Sequence, residues 1–272
     1  MGWVVAGLAV EYAVGVEVWE SETLETERKD PAPEPDAAGF ARLQLAFTPD
    51  EKQAAVLRSP AKRGILNCSR QWGKSTVAAA KAVHRAWTRA GSLVLVASPG
   101  ERQSAEFLRK AEAMVRRLGI TPRGDGDNAI SIAFPNGSRI VGLPGTEGTV
   151  RGFSAVSMIL IDEAARVEDA MYMALRPMLA VGGGDLWMMS TPCGRRGFFY
   201  EIWRHEKGWE KVSVPATECP RIGREFLEEE RSAMGPVWFA QEYLCEFVDN
   251  GMGLFDRELV EGMVDEGVET LF

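Results

Sequence analysis

Basic charge is in short supply in this chain of 272 residues: 31 Lys and Arg stand against 39 Asp and Glu, a formal net charge of −8. Lys and Arg supply nearly all non-specific affinity for nucleic acid, so this balance speaks against strong, indiscriminate DNA binding by the isolated chain. It leaves room for a local basic patch, or for a ring that focuses positive charge. Cysteine is also sparse. Cys68, Cys193, Cys219 and Cys245 are widely spaced and form no C-x-x-C pair, which indicates neither a zinc site nor a disulfide framework and makes a reduced, cytosolic protein the default. A long uninterrupted apolar run is missing. The small-residue-rich start, 1–19, is broken by Glu11 and Glu17 and lacks a basic leader, so it reads as peripheral strands or a docking arm rather than a signal or a membrane span. There is no internal repeat. No N-K-x-D guanine-reading sequence occurs, which sets a GTPase aside.

One further absence falls inside the most informative stretch, Asn67-Cys68-Ser69-Arg70-Gln71-Trp72-Gly73-Lys74-Ser75-Thr76. It is a phosphate-binding loop, G-x-x-x-x-G-K-[ST], with Cys68 where the first glycine belongs. An apolar run precedes it and a helix-forming stretch follows. That strand–loop–helix context makes Ser69, Arg70, Gln71, Trp72, Gly73, Lys74, Ser75 and Thr76 the candidate nucleotide contacts. Backbone N–H groups in such a loop, together with a helix N-terminus, form an anion site. Lys74 would reach the β- and γ-phosphates, and Ser75 would offer its hydroxyl to Mg²⁺. Taken alone, Gly-Lys-Ser is as well read as a turn that caps a helix. A second motif tips the balance. Ser157-Met158-Ile159-Leu160-Ile161-Asp162-Glu163 is a continuous apolar run, as in a buried central strand, that ends in two acids. Acids there stand at the strand end where α/β sheets bind ligands. Asp162 is the candidate Mg²⁺ ligand, and Glu163 the candidate base for the attacking water.

The apolar 46% of the residues is enough for a sizeable core in at most about two domains. The acidic, proline-rich stretch 21–38 reads as a linker. A helix is expected to open with Thr48 as N-cap and Glu51 completing a capping box. Strands are expected at 63–67, 93–98, 129–134, 139–143, 157–162 and 185–190. Helices are expected at 75–90, 102–118, 168–179 and 198–206. Pro135-Asn136-Gly137-Ser138 signals a hairpin. This alternation predicts an α/β fold of the P-loop NTPase type (ASCE class): a mostly parallel sheet flanked by helices, with one inserted hairpin. The tail, 224–234 and 237–246, reads as two helices broken at Gly235-Pro236 that form a small lid or linker subdomain. The expected boundaries are 1–38 for arm and linker, 39–215 for the ATPase core and 216–272 for the lid subdomain.

From about Phe47 to Phe247 these motifs resemble the ATPase domain of the large terminase subunit of tailed bacteriophages. Ser69-Arg70-Gln71-Trp72-Gly73-Lys74-Ser75 is similar to the family's variant Walker A, and Met158 to Ala165 to its Walker B. Arg151-Gly152 matches a family habit upstream of it. Ser190-Thr191-Pro192 resembles the coupling motif, which would let Thr191 sense the γ-phosphate or the attacking water. Gln53 resembles the adenine-recognising glutamine. The resemblance implies an ATP- and Mg²⁺-dependent ATPase that assembles as a ring, usually of five, on the portal protein of an empty capsid. It would drive double-stranded DNA inside, aided by a small terminase subunit, in the host cytoplasm with transient docking on the procapsid. It also implies a C-terminal nuclease domain in full-length members. The chain ends where that domain would begin, and Asp249, Asp256 and Asp265 have no strand context for a metal cluster, so no nuclease centre is expected in it. The charge-stabilising arginine stays open between Arg70, in cis, and Arg139, delivered from a neighbouring subunit; an exposed strand arginine explains Arg139 equally well. Arg102, Arg109 and Lys110, on one helix, are candidate DNA contacts. Alternative readings are a helicase-like translocase, which would need a second core, and a nucleotide-stabilised assembly protein without catalysis.

Overall fold

The computed structural model describes residues 36–143 and 152–248, all within one compact unit spanning 35–272. The arm at 1–19, Arg151 and the tail aspartates lie outside the described residues. Seven strands form a single sheet: β1 (Arg63–Cys68), β2 (Leu93–Ala97), β3 (Ser131–Ala133), β4 (Arg139–Gly142), β5 (Met158–Asp162), β6 (Asp185–Ser190) and β7 (Glu210–Val214). Their order is β3-β4-β2-β5-β6-β1-β7. Every pairing is parallel except β3 with β4, the expected hairpin. β6 lies between β1, which leads into the phosphate loop, and β5, which ends in the acids. The central strands β1, β2, β5 and β6 are buried almost throughout. Continuous apolar runs of this kind are what a sheet covered on both faces requires.

Side chains alternate across the sheet and separate the core into two halves. Leu66, Val94, Val96, Leu160, Trp187 and Met189 face one cluster. It is completed by α1 (Ala37–Gln44), α2 (Glu51–Arg58), α3 (Lys74–Thr88) and α4 (Glu101–Arg117). Ile65, Leu95, Ile159, Ile161, Leu186 and Met188 face the other, which packs on α5 (Asp169–Leu175) and α6 (Gly197–His205). At Gly64 a Cβ atom would come 2.2 Å from the Trp187 ring, so only glycine fits β1 against its neighbour there.

The structure corrects several local expectations. Helix α1 starts at Ala37, inside the expected linker, capped by Asp36 and held to the next helix by an Asp36–Arg58 ion pair. The N-cap of α2 is Asp50 rather than Thr48: its carboxylate accepts from Gln53 N–H, and the Gln53 side chain accepts from Asp50 N–H. The helix expected at 168–179 tightens into a 3-10 turn at Arg176–Leu179, where Pro177 has no N–H to offer. Strand β7 was not expected. Its alternation of polar and apolar residues, Glu210-Lys211-Val212-Ser213-Val214, marks a half-exposed edge. The tail forms α7 (Arg224–Met234) and α8 (Pro236–Leu244), separated by Gly235 at φ 77°. They close over a small core of Ala216, Leu227, Phe239 and Tyr243.

Candidate nucleotide site

The phosphate loop joins the C-terminal end of β1 to the first turn of α3. Cys68 is the last strand residue, fully buried and paired in register with Val214. Its backbone is extended like the rest of the strand, so the missing glycine costs nothing. Left-handed backbone occurs a few residues later, at Gln71 (φ 64°) and Gly73 (φ 92°). Gly73 accepts this freely, whereas Gln71 bears a cost of about 1–2 kcal/mol. Several contacts hold the loop in that shape. Trp72 is buried as an anchor, and its carbonyl accepts from Gln53 Nε2 at 2.7 Å and from Arg221 Nη2 at 2.5 Å. Arg221 also pairs with Asp50 at 3.1 Å. Ser69 N–H donates to the Val214 carbonyl at 3.0 Å, and Arg70 N–H to the Glu242 carbonyl at 3.4 Å.

Opposite the loop, β5 delivers the two acids. The Ser75 hydroxyl donates to Asp162 Oδ2 at 2.9 Å. Burial, and then the neighbouring Glu163 carboxylate, push the Asp162 carboxyl above its usual range, while Ser75 and Lys74 pull the other way. Glu163 is itself in left-handed backbone, φ 52°. Such strain gathers at functional sites, where the surroundings over-determine it. Lys74 Nζ lies 3.4 Å from Glu163 Oε1. Hydroxyl and carboxylate oxygens at the start of a helix are a hard-cation donor set of the kind Mg²⁺ takes in phosphate sites, and a divalent cation would offset the cost of burying the Asp162 charge. Ser75 and Asp162 therefore fit the metal role. Arg70, Gln71, Gly73, Lys74, Ser75, Thr76, Lys110 and Glu163 line an open cleft of about 410 Å³.

The remaining candidates divide. Thr191 directly follows β6, next to β5, and its hydroxyl accepts from Arg166 Nη1 at 3.1 Å. Gln53 reaches the loop, yet it is buried and its amide already holds the Trp72 carbonyl and the α2 cap. Lys110 parts from Arg102 and Arg109: it lines the cleft, whereas the other two stand on the exposed side of α4, Arg109 paired with Glu106. These three do not form one stripe. Arg139 is not brought to the cleft of its own chain. It starts β4, level with Leu93 at the N-terminal end of β2, so it lies at the opposite end of the sheet. There it pairs with Asp125 at 3.4 Å. Burial opposes ionisation of Asp125, but hydrogen bonds from Asn128 and Ser131 outweigh it and bring the carboxyl down to about 2.

Sequence reasoning missed Arg166 and Glu242. Arg166 Nη1 also donates to Glu163 Oε2 at 3.2 Å, and its Nη2 lies 3.3 Å from Glu242 Oε1. Glu242, on α8, pairs in addition with Arg70 Nε at 2.5 Å. Arg166, three residues beyond Glu163, carried a local signal. Glu242 carried none, being 76 residues further on.

Comparison with known proteins agrees with this geometry. The sequence profile of the family described as terminase large subunit, T4-like-virus type, N-terminal, matches residues 65–261. The terminase large subunit of Thermus phage G20c is 26% identical over 248 residues, covering 78% of this chain and 51% of that protein. That of Escherichia phage T5 is 25% identical over 215 residues, covering 75% and 49%. The chain thus spans about half the length of the curated relatives it matches. Among solved structures, the large terminase ATPase domain of Thermus phage P74-26 superposes with a TM-score of 0.67 at 25% identity, covering 77% of this chain and 97% of that one. A large terminase from a thermophilic bacteriophage, solved in complex with ATP-gamma-S, shares the fold, with a TM-score of 0.61 at 19% identity over 73% of this chain and 52% of that one. With the profile covering well over half of its length, this chain belongs to the family of terminase large subunits.

Proposed function

We propose that this chain binds ATP with Mg²⁺ and hydrolyses it, and that this hydrolysis powers movement of double-stranded DNA into a viral capsid. The observation that carries the reading is the convergence, in one cleft, of Lys74, the Ser75–Asp162 pair and Glu163. Each answers a separate demand of phosphoryl transfer to water. The loop amides and Lys74 hold the phosphates, with Lys110 beside them. Ser75 and Asp162 hold Mg²⁺, which when bound neutralises charge on the phosphate oxygens. Glu163 orients the attacking water and accepts its proton. Arg70, on the cleft wall, is placed to stabilise charge in cis. Thr191 senses the site through the arginine it shares with Glu163. In this reading Gln53 braces the loop, and an adenine contact would require its amide to leave Asp50 or Trp72.

The assembly part of the proposal rests on family membership: a ring, five-fold by expectation, on the portal protein, working with a small terminase subunit in the host cytoplasm. DNA contact is assigned to Arg102 and Arg109, two exposed cations of α4. A trans-acting role for Arg139 requires the neighbour's cleft to meet the opposite end of this sheet. The test is ATP turnover by the purified chain with and without double-stranded DNA, beside Arg102→Glu/Arg109→Glu. The proposal expects Mg²⁺-dependent turnover that DNA raises in the parent and not in the charge-reversed variant. Absence of ATP binding by the parent refutes the nucleotide reading. Equal stimulation of both proteins refutes the DNA assignment.

A further inference from the structure

The residues around the cleft are not held in place by the ATPase core alone. The end of α8, in the tail subdomain, is seated on it at four points: the Glu242 carboxylate on Arg70 and on Arg166, the Glu242 carbonyl on Arg70 N–H, and the Cys245 carbonyl on Asn67 Nδ2 at 2.8 Å. Glu242 is buried, and the groups facing its carboxylate are Arg70, Arg166 and the Gln241 amide. A buried carboxylate placed between two guanidinium groups is strongly held, because removing either partner leaves charge uncompensated. Arg166 is the branch point. One nitrogen serves both Glu163 and Thr191, and the other serves Glu242. A planar fork spans such partners, whereas a lysine ammonium is a single point charge.

We propose that Arg166 and Glu242 act as a positioning pair, through which α8 holds the water-activating carboxylate of Glu163 and the loop arginine Arg70 in place around the nucleotide. This rests on the ATPase reading above. Neither residue needs to touch the reacting atoms. Arg166 fixes the Glu163 carboxylate, which Lys74 approaches from its other oxygen, and Glu242 fixes Arg166. Nucleotide phosphate entering the cleft meets Arg70 while that arginine is bound to α8. The helix therefore feels nucleotide occupancy directly, and the tail subdomain is mechanically tied to the state of the site.

The pair predicts a split between binding and turnover. Arg166→Ala, Arg166→Lys and Glu242→Gln should each lower kcat by about 10- to 100-fold, the range expected of a small misplacement of a reacting group. The KM for ATP should stay close to that of the parent, while the melting temperature falls, because each substitution leaves a buried charge short of a partner. Arg166→Ala combined with Glu242→Gln should cost less than the product of the two single losses, since the two act in series on Glu163 while Glu242 alone also holds Arg70. Independently of turnover, magnesium and ATP-gamma-S should change hydrogen exchange of the α8 amides in the parent and leave them unchanged in Arg166→Ala. Losses that multiply, variants with parental kcat, or α8 exchange indifferent to the analogue in a parent that binds it would overturn the pair and leave the ATPase reading intact. A parent that binds no ATP would overturn both.

Discussion

The two ends of the parallel sheet are built on opposite principles. At the N-terminal end, charges are paired and satisfied: Arg85 holds Asp185 and the Ser157 carbonyl, Arg139 holds Asp125, and Lys81 holds the Val56 and Ser59 carbonyls over the Trp187 ring. At the C-terminal end, the loop residue Gln71 and the acid Glu163 are in left-handed backbone. Buried polar atoms without a protein partner gather there as well. Asn67 Oδ1, Ser69 Oγ, Ser98 Oγ and Ser190 Oγ all lie at or just beyond the ends of β1, β2 and β6; among the described residues Tyr172 adds one elsewhere. Buried polar groups are normally hydrogen-bonded. Their concentration at one end identifies the end kept for a ligand, while the other end holds the fold together.

This contrast can be broken by substitution. Lys74→Ala should cost about 10²–10³-fold in ATP turnover, the scale for removing a group that stabilises developing charge, with the melting temperature in the absence of nucleotide nearly unchanged. Calorimetry and a phosphate-release assay on the same preparation check both halves. At the opposite end the pattern should reverse. Gly64→Ala forces a Cβ into the Trp187 ring and should cost about 1–3 kcal/mol of stability in denaturant unfolding, while a folded fraction keeps its turnover.

Lys81 gives a smaller and pH-dependent test. Burial lowers its ammonium from 10.5 to about 8. Between those values the unfolded chain binds a proton that the folded chain lacks, so this residue adds stability as pH rises through the window and withdraws it as pH falls through about 8. Lys81→Met should remove that rise, which unfolding midpoints at pH 8 and pH 10 would show. The smallest effect is expected for Arg139→Ala. With its side chain anchored far from the cleft of its own chain, turnover should stay within about twofold; a fall of roughly 10³-fold in an assembly without parental subunits would instead assign it the trans-acting finger.

Much of the fold was legible because its signals are local. Continuous apolar runs gave the central strands, Asn136-Gly137 the hairpin, and Gly235-Pro236 the break between the tail helices. Gly73-Lys74-Ser75 and Asp162-Glu163 pointed to the same cleft because both follow strands of one parallel sheet. What escaped the sequence was set by tertiary contact. Helix α1 is short and follows a proline-rich stretch, and it is fixed by packing on α2 and α3. Gln53, which by resemblance is an adenine-recognising glutamine, caps a helix and braces the loop at once. Lys110 follows Arg109 in sequence but points to another face of α4, since successive helical residues are about 100° apart. Glu242 acquires its role only because α8 folds back onto the loop.

In the proposed reaction Glu163 serves turnover and not binding. The most direct test of this role is ATP affinity and single-turnover hydrolysis measured side by side for the parent and Glu163→Gln. The account predicts hydrolysis lowered by about 10²–10⁴-fold, the range for a general base, with the Kd for ATP within a few-fold of the parent. Hydrolysis at the parental rate in Glu163→Gln, with ATP bound, would contradict it.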